Sequence, residues 1–337
     1  MQTVTVTAAN TDRRLDKFLF QYLNTAPQYF IYKMLRKKNI TLNDSRAKGS
    51  ELLQAGDIIN LFLADETIAK FRQARKIATA RPLTGIIFED NNLLIVNKPQ
   101  GLASHGGMKN KRNKPNPKPT KPHQNEPTGE DHLLARVLFY LQSSGAYDPS
   151  DTFVPALCNR LDVNTSGLVI SGKTLHALQE MNGLFANQGI DKEYVTIVEG
   201  EVGKVGKSRV LRGFYQKESS ANIAKIVTQH TPTAVTTAYT VLAVSTDGAY
   251  SLVSVNPITG RSHQIRAHFA SIGHPLAGDR KYGGNAIPFG QSYLLHCRRL
   301  AISAKLNDND NMKWTAPLPK NLQLCMDEWF GGYAFEQ

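Results

Sequence analysis

Cysteine is scarce: three in 337 residues, Cys158, Cys297 and Cys325, far apart and in no Cys-x-x-Cys pair. That scarcity argues against a disulfide framework and against a zinc site, and it fits a reducing compartment. Long apolar runs are also missing, so no stretch reads as a membrane span. Met1 to Asp12 has neither a basic region nor an apolar core, and no secretory leader is expected there. No phosphate-cradling loop, dinucleotide glycine fingerprint or His-Glu-x-x-His pattern occurs. Acidic residues are in short supply as well: 28 Asp and Glu against 40 Lys and Arg leave a net charge of +12. Such an excess suits a polyanionic partner, nucleic acid first and an anionic membrane surface second. A basic protein with no such partner is the plain alternative. The 41% hydrophobic and 20% charged content is ordinary for a soluble globular protein, and the length allows one large domain and a small one.

Leu15, Phe18, Leu19, Tyr22 and Leu23 fall at helical spacing and predict an amphipathic helix. Phe30, Ile31, Met34 and Leu35 predict a second, ending in the basic cluster Arg36-Lys37-Lys38. Ile40 and Leu42 alternate as a short strand, Asn43-Asp44 turns it, and Ile58, Asn60 and Phe62 alternate again after Ala55-Gly56-Asp57. Residues 1–63 therefore read as a small α+β unit with Arg36, Lys37, Lys38, Arg46 and Lys48 available on one side. A solvated basic helix end explains those charges equally well. Residues 64–84 are mixed in character, end beyond Pro82 and read as a linker.

A larger domain, 85–330, opens with a hairpin, Ile86-Ile87-Phe88 and Leu93 to Val96, and a turn, Asn97-Lys98-Pro99-Gln100-Gly101-Leu102. Lys98 could face a substrate; a purely structural turn is the commoner meaning of such a segment. Residues 108–129 are rich in Lys, Pro and Asn and cannot bury enough surface to fold alone. A basic loop adding phosphate contacts and a tolerated surface insertion both fit. Leu133, Leu134, Val137, Leu138 and Leu141 predict one helix, and Leu175, Leu178, Met181 and Leu184 another. Asp191 to Val198 alternates as a strand with Lys192 and Tyr194 on one face, where a Tyr is usually packing. Tyr239 to Val244 and Tyr250 to Val255 read as two more strands. In the helix that follows, Ile265, Phe269 and Ile272 share the core face, with Arg261, His263 and Arg266 off it.

Between the two predicted helices lies Cys158-Asn159-Arg160-Leu161-Asp162-Val163-Asn164-Thr165-Ser166-Gly167, followed by apolar Leu168 to Ile170. An Asp beginning a turn is usually a turn former; held between an arginine and small hydroxyl residues, it could also be an ionised nucleophile. Asp162, Asn164, Ser166 and Gly167 imitate the first half of an EF-hand loop, but Lys173 stands where a bidentate Glu is needed. No metal reading survives.

This loop resembles the His-Arg-Leu-Asp-x-x-Thr-Ser-Gly signature of the RluA-type pseudouridine synthases, with Asn159 in place of His. Further motifs follow the family's order: Asn97 to Gly101; Lys192-Glu193-Tyr194; Gly260-Arg261-Ser262-His263-Gln264-Ile265-Arg266-Ala267-His268; Gly278-Asp279-Arg280-Lys281-Tyr282-Gly283; and Leu295-His296. The N-terminal unit resembles the alpha-L module, a small RNA-binding unit of ribosomal-protein type, with Asn43-Asp44 where Asn-Gly is usual.

The resemblance implies an α+β fold with a mixed, mainly antiparallel central sheet and flanking helices, plus the small RNA-binding module. By it, Asp162 is the nucleophile, Tyr194 packs against the base and assists proton transfer, and Arg266 pairs with the Asp. Such a partner favours an ionised carboxylate in a partly dry cleft. Arg160 fills the space a flipped base leaves, and Lys192, Arg261, His263, Gln264 and Leu295 join the substrate-binding set, though a core leucine is the default for Leu295. The implied reaction is isomerisation of uridine in RNA without cofactor or metal, with large-subunit ribosomal RNA or its precursor as substrate. The expected setting is cytoplasmic, as a monomer with no membrane or protein partner. Transfer RNA as substrate, a catalytically silent ribosome-assembly protein and a small-substrate hydrolase are the rivals. The last explains neither the charge nor the N-terminal unit.

Overall fold

A computed structural model of the chain describes residues 1–7, 10–73, 80–106, 131–218, 223–229, 231–302 and 312–335. The Lys/Pro-rich stretch 108–129 lies outside them. The N-terminal elements are β1 (Gln2–Thr5), α1 (Leu15–Tyr22), α2 (Gln28–Arg36), β2 (Ile40–Leu42), β3 (Ser45–Arg46), β4 (Ile58–Leu61) and α3 (Asp65–Phe71). They form a four-stranded sheet, order β1-β4-β2-β3, whose core is made by Phe18, Leu19, Ile31, Leu35, Ile40 and their neighbours. The inward residues of β4 are Ile59 and Leu61, while Ile58 and Phe62 are exposed. The period-2 pattern is thus out by one position: the apolar run Ile58–Ile59 alone does not say which face is inside. The expected linker opens with α3, and its Ile68 completes this core.

The remaining elements are β5 (Ile86–Glu89), β6 (Leu93–Lys98), α4 (Leu133–Ser143), β7 (Ala156–Leu157), β8 (Ser166–Gly172), α5 (Leu175–Ala186) and β9 (Ile190–Glu199). Then come β10 (Ser208–Glu218), β11 (Ile223–Val227), β12 (Ala234–Val244), β13 (Tyr250–Pro257), α6 (Gln264–Ser271), β14 (Leu295–Ile302), β15 (Lys313–Thr315) and α7 (Lys320–Phe330). They build an eleven-stranded sheet along the path β11-β10-β12-β13-β9-β14-β8-β6-β5, with β15 on β14 and β7 on β8. Every pairing is antiparallel except β8 with β14. This is the mixed, mainly antiparallel sheet with flanking helices that the family resemblance implies. Ile272 is exposed rather than core, because α6 ends before it at Ser271. The same helix buries Arg266 instead of leaving it outside.

The sheet's two halves meet at the short parallel ladder between β8 and β14, where His296 lies opposite Ser166 and Cys297 opposite Gly167. Ser166 Oγ bonds His296 Nδ1 at 2.9 Å. Gly167 has φ of 114°, and a Cβ there would collide with the Cys297 backbone. Only glycine offers both that backbone conformation and that closeness. The signature loop therefore ends in the junction itself.

Two histidines lie wholly inside the body. Burial pushes both His268 and His296 down to about 4 from the ordinary 6.5. The unfolded chain binds protons on them below about pH 6.5 while the fold resists until about 4, so stability falls as pH drops through that window. Urea midpoints should decline between pH 7 and 4.5, and His268→Gln should flatten part of the slope. An unchanged slope in that variant would refute the assignment.

Candidate active site

The loop before β8 is fastened from below by the turn that follows β6. Lys98 is 0% exposed, and its Nζ donates to Pro99 O (2.9 Å), Leu102 O (2.7 Å) and Val163 O (3.1 Å). Burial pushes its amine down to about 7, with the charge of Asp162 opposing. Three carbonyl acceptors ask for three N–H donors, which the ammonium alone supplies. Of the two readings open for Lys98 the structural one holds: it is a buried pin on the residue next to Asp162. Gly101 N also donates to Val163 O, at 2.9 Å. Gln100 Nε2 reaches Asn164 O (3.1 Å) and Tyr293 O (2.8 Å). Ser104 Oγ both accepts from Leu161 N and donates to Leu161 O. Asn159 ties the loop to β8 by donating to Leu168 O (3.1 Å) and accepting from Ile170 N (2.9 Å). The asparagine in the histidine position is therefore itself a bracket. A loop held at so many points presents Asp162 in one place.

Asp162 is 30% exposed in a cleft of about 1090 Å³. Its Oδ2 lies 3.8 Å from Arg266 Nη1 and 3.7 Å from His263 Nε2. Arg266 is the better held of the two. Its Nε and Nη2 form a fork on Asp279 at 2.7 and 2.8 Å, and its guanidinium lies against the rings of Tyr293 (4.1 Å) and Tyr282 (4.7 Å). Asp279 is 1% exposed, so this buried pair is charge-satisfied and rigid. Its place in Gly278-Asp279-Arg280-Lys281-Tyr282-Gly283 was the available signal, but nothing in the sequence joins it to a residue thirteen positions earlier. The aromatic partner Tyr293 had no signal at all; burial pushes its phenol up to about 12.

The same cleft gathers every other residue expected at the site: Arg160, Lys192, Tyr194, Arg261, Gln264 and Leu295. Arg160 and Arg261 are exposed at it, and Lys192 is half-buried, with its amine lowered by that burial. Burial drives the Tyr194 phenol well above its ordinary value, followed by the influence of Cys297. Such a phenol keeps its proton at neutral pH. Gln264 departs from expectation. Its Oε1 accepts from Thr259 Oγ1 and Arg261 N, and its Nε2 donates to Thr236 O and Thr237 Oγ1. All four positions of its amide are taken by the protein, so it braces the loop and has none left for a substrate. Arg36, Lys37, Lys38, Arg46 and Lys48 do not line this cleft; they are exposed on the N-terminal unit, and none forms an ion pair among the described residues. No group of three or more metal-ligating side chains occurs among the described residues. Nor is any described helix long and apolar enough to cross a membrane.

Residues 92–271 match the family model described as RNA pseudouridylate synthase. A protein of Rickettsia felis named Ribosomal large subunit pseudouridine synthase C is 30% identical over 87% of this chain and 89% of its own. The Escherichia coli K12 protein of that name is 28% identical over 97% of this chain and 96% of its own. The solved structure of Human RNA Pseudouridylate Synthase Domain Containing 4 aligns with a TM-score of 0.49 at 21% identity, over 70% of this chain and 89% of that one.

Lys98→Met fills the same space without donors, leaves Pro99 O and Leu102 O unmet and takes one of two donors from Val163 O. Urea denaturation should show a loss of about 2 kcal/mol, and hydrogen exchange should speed up over residues 160–165. Unchanged exchange there would mean that Lys98 does not hold the loop.

Proposed function

The chain belongs to the RNA pseudouridylate synthase family, enzymes that isomerise uridine in RNA, and we propose that Asp162 is its nucleophile and large-subunit ribosomal RNA its substrate. One observation carries the first part. Two donors from a single segment, His263 Nε2 and Arg266 Nη1, converge on one oxygen of the one carboxylate that projects into the cleft from a pinned loop. The reaction breaks the bond from uracil N1 to ribose C1′, turns the base and forms a C5–C1′ bond. C5 loses a proton and N1 gains one, so the product is an isomer and no redox equivalent is consumed.

The remaining residues have roles that fit their placement. The target uridine must leave its stack to reach a side chain inside the cleft. Arg160, exposed beside Asp162, enters the space it vacates. Tyr194 packs against the flipped base with its hydroxyl protonated, and Leu295 adds an apolar wall. Arg261 and Lys192 meet backbone phosphates, which favours binding that weakens with salt. Residues 1–63, with Arg36, Lys37, Lys38, Arg46 and Lys48 exposed, form the RNA-binding module, and residues 85–330 the catalytic domain. The preference for ribosomal over transfer RNA is supported by relatives named for the large ribosomal subunit, one of which aligns with 97% of this chain, N-terminal unit included. The enzyme is then cytoplasmic, alongside that RNA.

Tritium release from C5-labelled uridine in large-subunit ribosomal RNA tests the reading. Release by the native enzyme should vanish in Asp162→Asn while filter binding of the RNA persists. Release from transfer RNA alone would move the substrate assignment, and tight binding without release from either would overturn the catalytic one.

A further inference from the structure

We propose that His263 is a positioning residue, a neutral imidazole held with its proton on Nε2, and that the β10–β11 hairpin selects this tautomer through Tyr282. It would hold one oxygen of Asp162 and leave the other to the substrate. The proposal rests on Asp162 as the reacting carboxylate.

The tautomer follows from counting protons. Tyr282 Oη accepts the backbone N–H of Ala224, on β11, at 2.8 Å. Its remaining hydrogen-bond partner among the described residues is His263 Nδ1 at 3.0 Å. A phenol has one O–H to give, and Nδ1 is the acceptor within reach, so Nδ1 carries the lone pair. The ring proton then sits on Nε2, which faces Asp162 Oδ2 at 3.7 Å. The opposite tautomer would make the phenol oxygen accept twice and leave its own proton without a described partner.

The surroundings agree. Tyr282 is edge-on to the imidazole at 5.8 Å between ring centres. Burial lowers the pKa of His263 and outweighs the opposing charge of Asp162; Arg266 and Lys281 lower it further, and Asp279 raises it. Burial also raises Tyr282, which therefore keeps its O–H. His263 has φ of 57°, in the left-handed region, immediately before α6. Strained backbone of that kind persists where neighbours over-determine it, and it often marks a functional site. A second hairpin contact helps here: Tyr215 Oη, on β10, donates to Ser262 O at 3.2 Å, one residue before His263.

At 3.7 Å the Nε2–Oδ2 approach is about half an ångström too long for a hydrogen bond, the looseness usual before substrate closes a site. Arg266 Nη1 approaches the same Oδ2, while its Nε and Nη2 each donate to Asp279. Oδ1 has no hydrogen-bond partner among the described residues. The carboxylate is thus oriented from one side, with its free oxygen left for chemistry.

Nitrogen-15 NMR of the histidine-labelled native enzyme at pH 7.5 reads the tautomer directly and needs no RNA. The expected ring has a protonated Nε2 and a bare Nδ1. Tyr282→Phe keeps an aromatic ring against Arg266 but removes the O–H. It should release the tautomer and lower kcat about five- to tenfold, the worth of one hydrogen bond, with KM unchanged. A protonated Nδ1 in the active native enzyme, or Tyr282→Phe with kcat and tautomer unaltered, would overturn this proposal alone. A native enzyme that releases no tritium from any RNA would instead overturn the nucleophile assignment, and the positioning role with it.

Discussion

Two rungs of parallel pairing hold the large sheet together. Everything from β9 to β11 lies on one side of the β8–β14 contact and everything from β5 to β8 on the other. So short a ladder supplies little by hydrogen bonding alone. What secures it is closeness: Gly167 lets the Cys297 backbone approach where any side chain would intrude, and Ser166 and His296 add a buried bond across the gap. The chain enters β8 directly from the loop that carries Asp162. A loop at the junction meets groups from both halves: Lys98 and Gln100 bond its backbone from one side, and Arg266 faces its carboxylate from the other.

The electrostatics of the cleft divide two tasks between two aspartates. Asp279 is buried and takes the guanidinium fork of Arg266 in the strong bidentate manner. Asp162 is partly exposed and faces only Nη1 of the same arginine, at longer range. One carboxylate fixes the cation and the other lies partly exposed at longer range from it. The tyrosine rings against Arg266 shield it from water.

Much of this was legible in the chain because the cleft residues sit in short, ordered motifs, and the structure gathers them in one place. The helices α1, α4 and α5 and the strands β6, β9 and β13 announce themselves by their apolar periods, since each hides one face. The β10–β11 hairpin does not: β10 is mostly exposed or half-exposed along its length, so it carries no clear alternation. The helix α7 buries Leu322, Cys325 and Met326 and stacks Trp329 on Tyr250 at 4.0 Å, contacts that its mixed composition does not advertise. Lys98, for which a structural turn is the commoner of two readings, and Gln264, expected at the substrate, meet the same limit of the sequence. Composition reports that a side chain is polar, and only the fold reveals whether backbone carbonyls or solvent will claim it.

The hairpin reaches Tyr282 with a main-chain group, the N–H of Ala224, and its one side-chain contact described beside the site is Tyr215 on Ser262 O. Every amino acid but proline carries that group. The hairpin can therefore drift in sequence and still deliver the same contact to Tyr282. Apart from Tyr215, its side chains are left to vary without disturbing that contact.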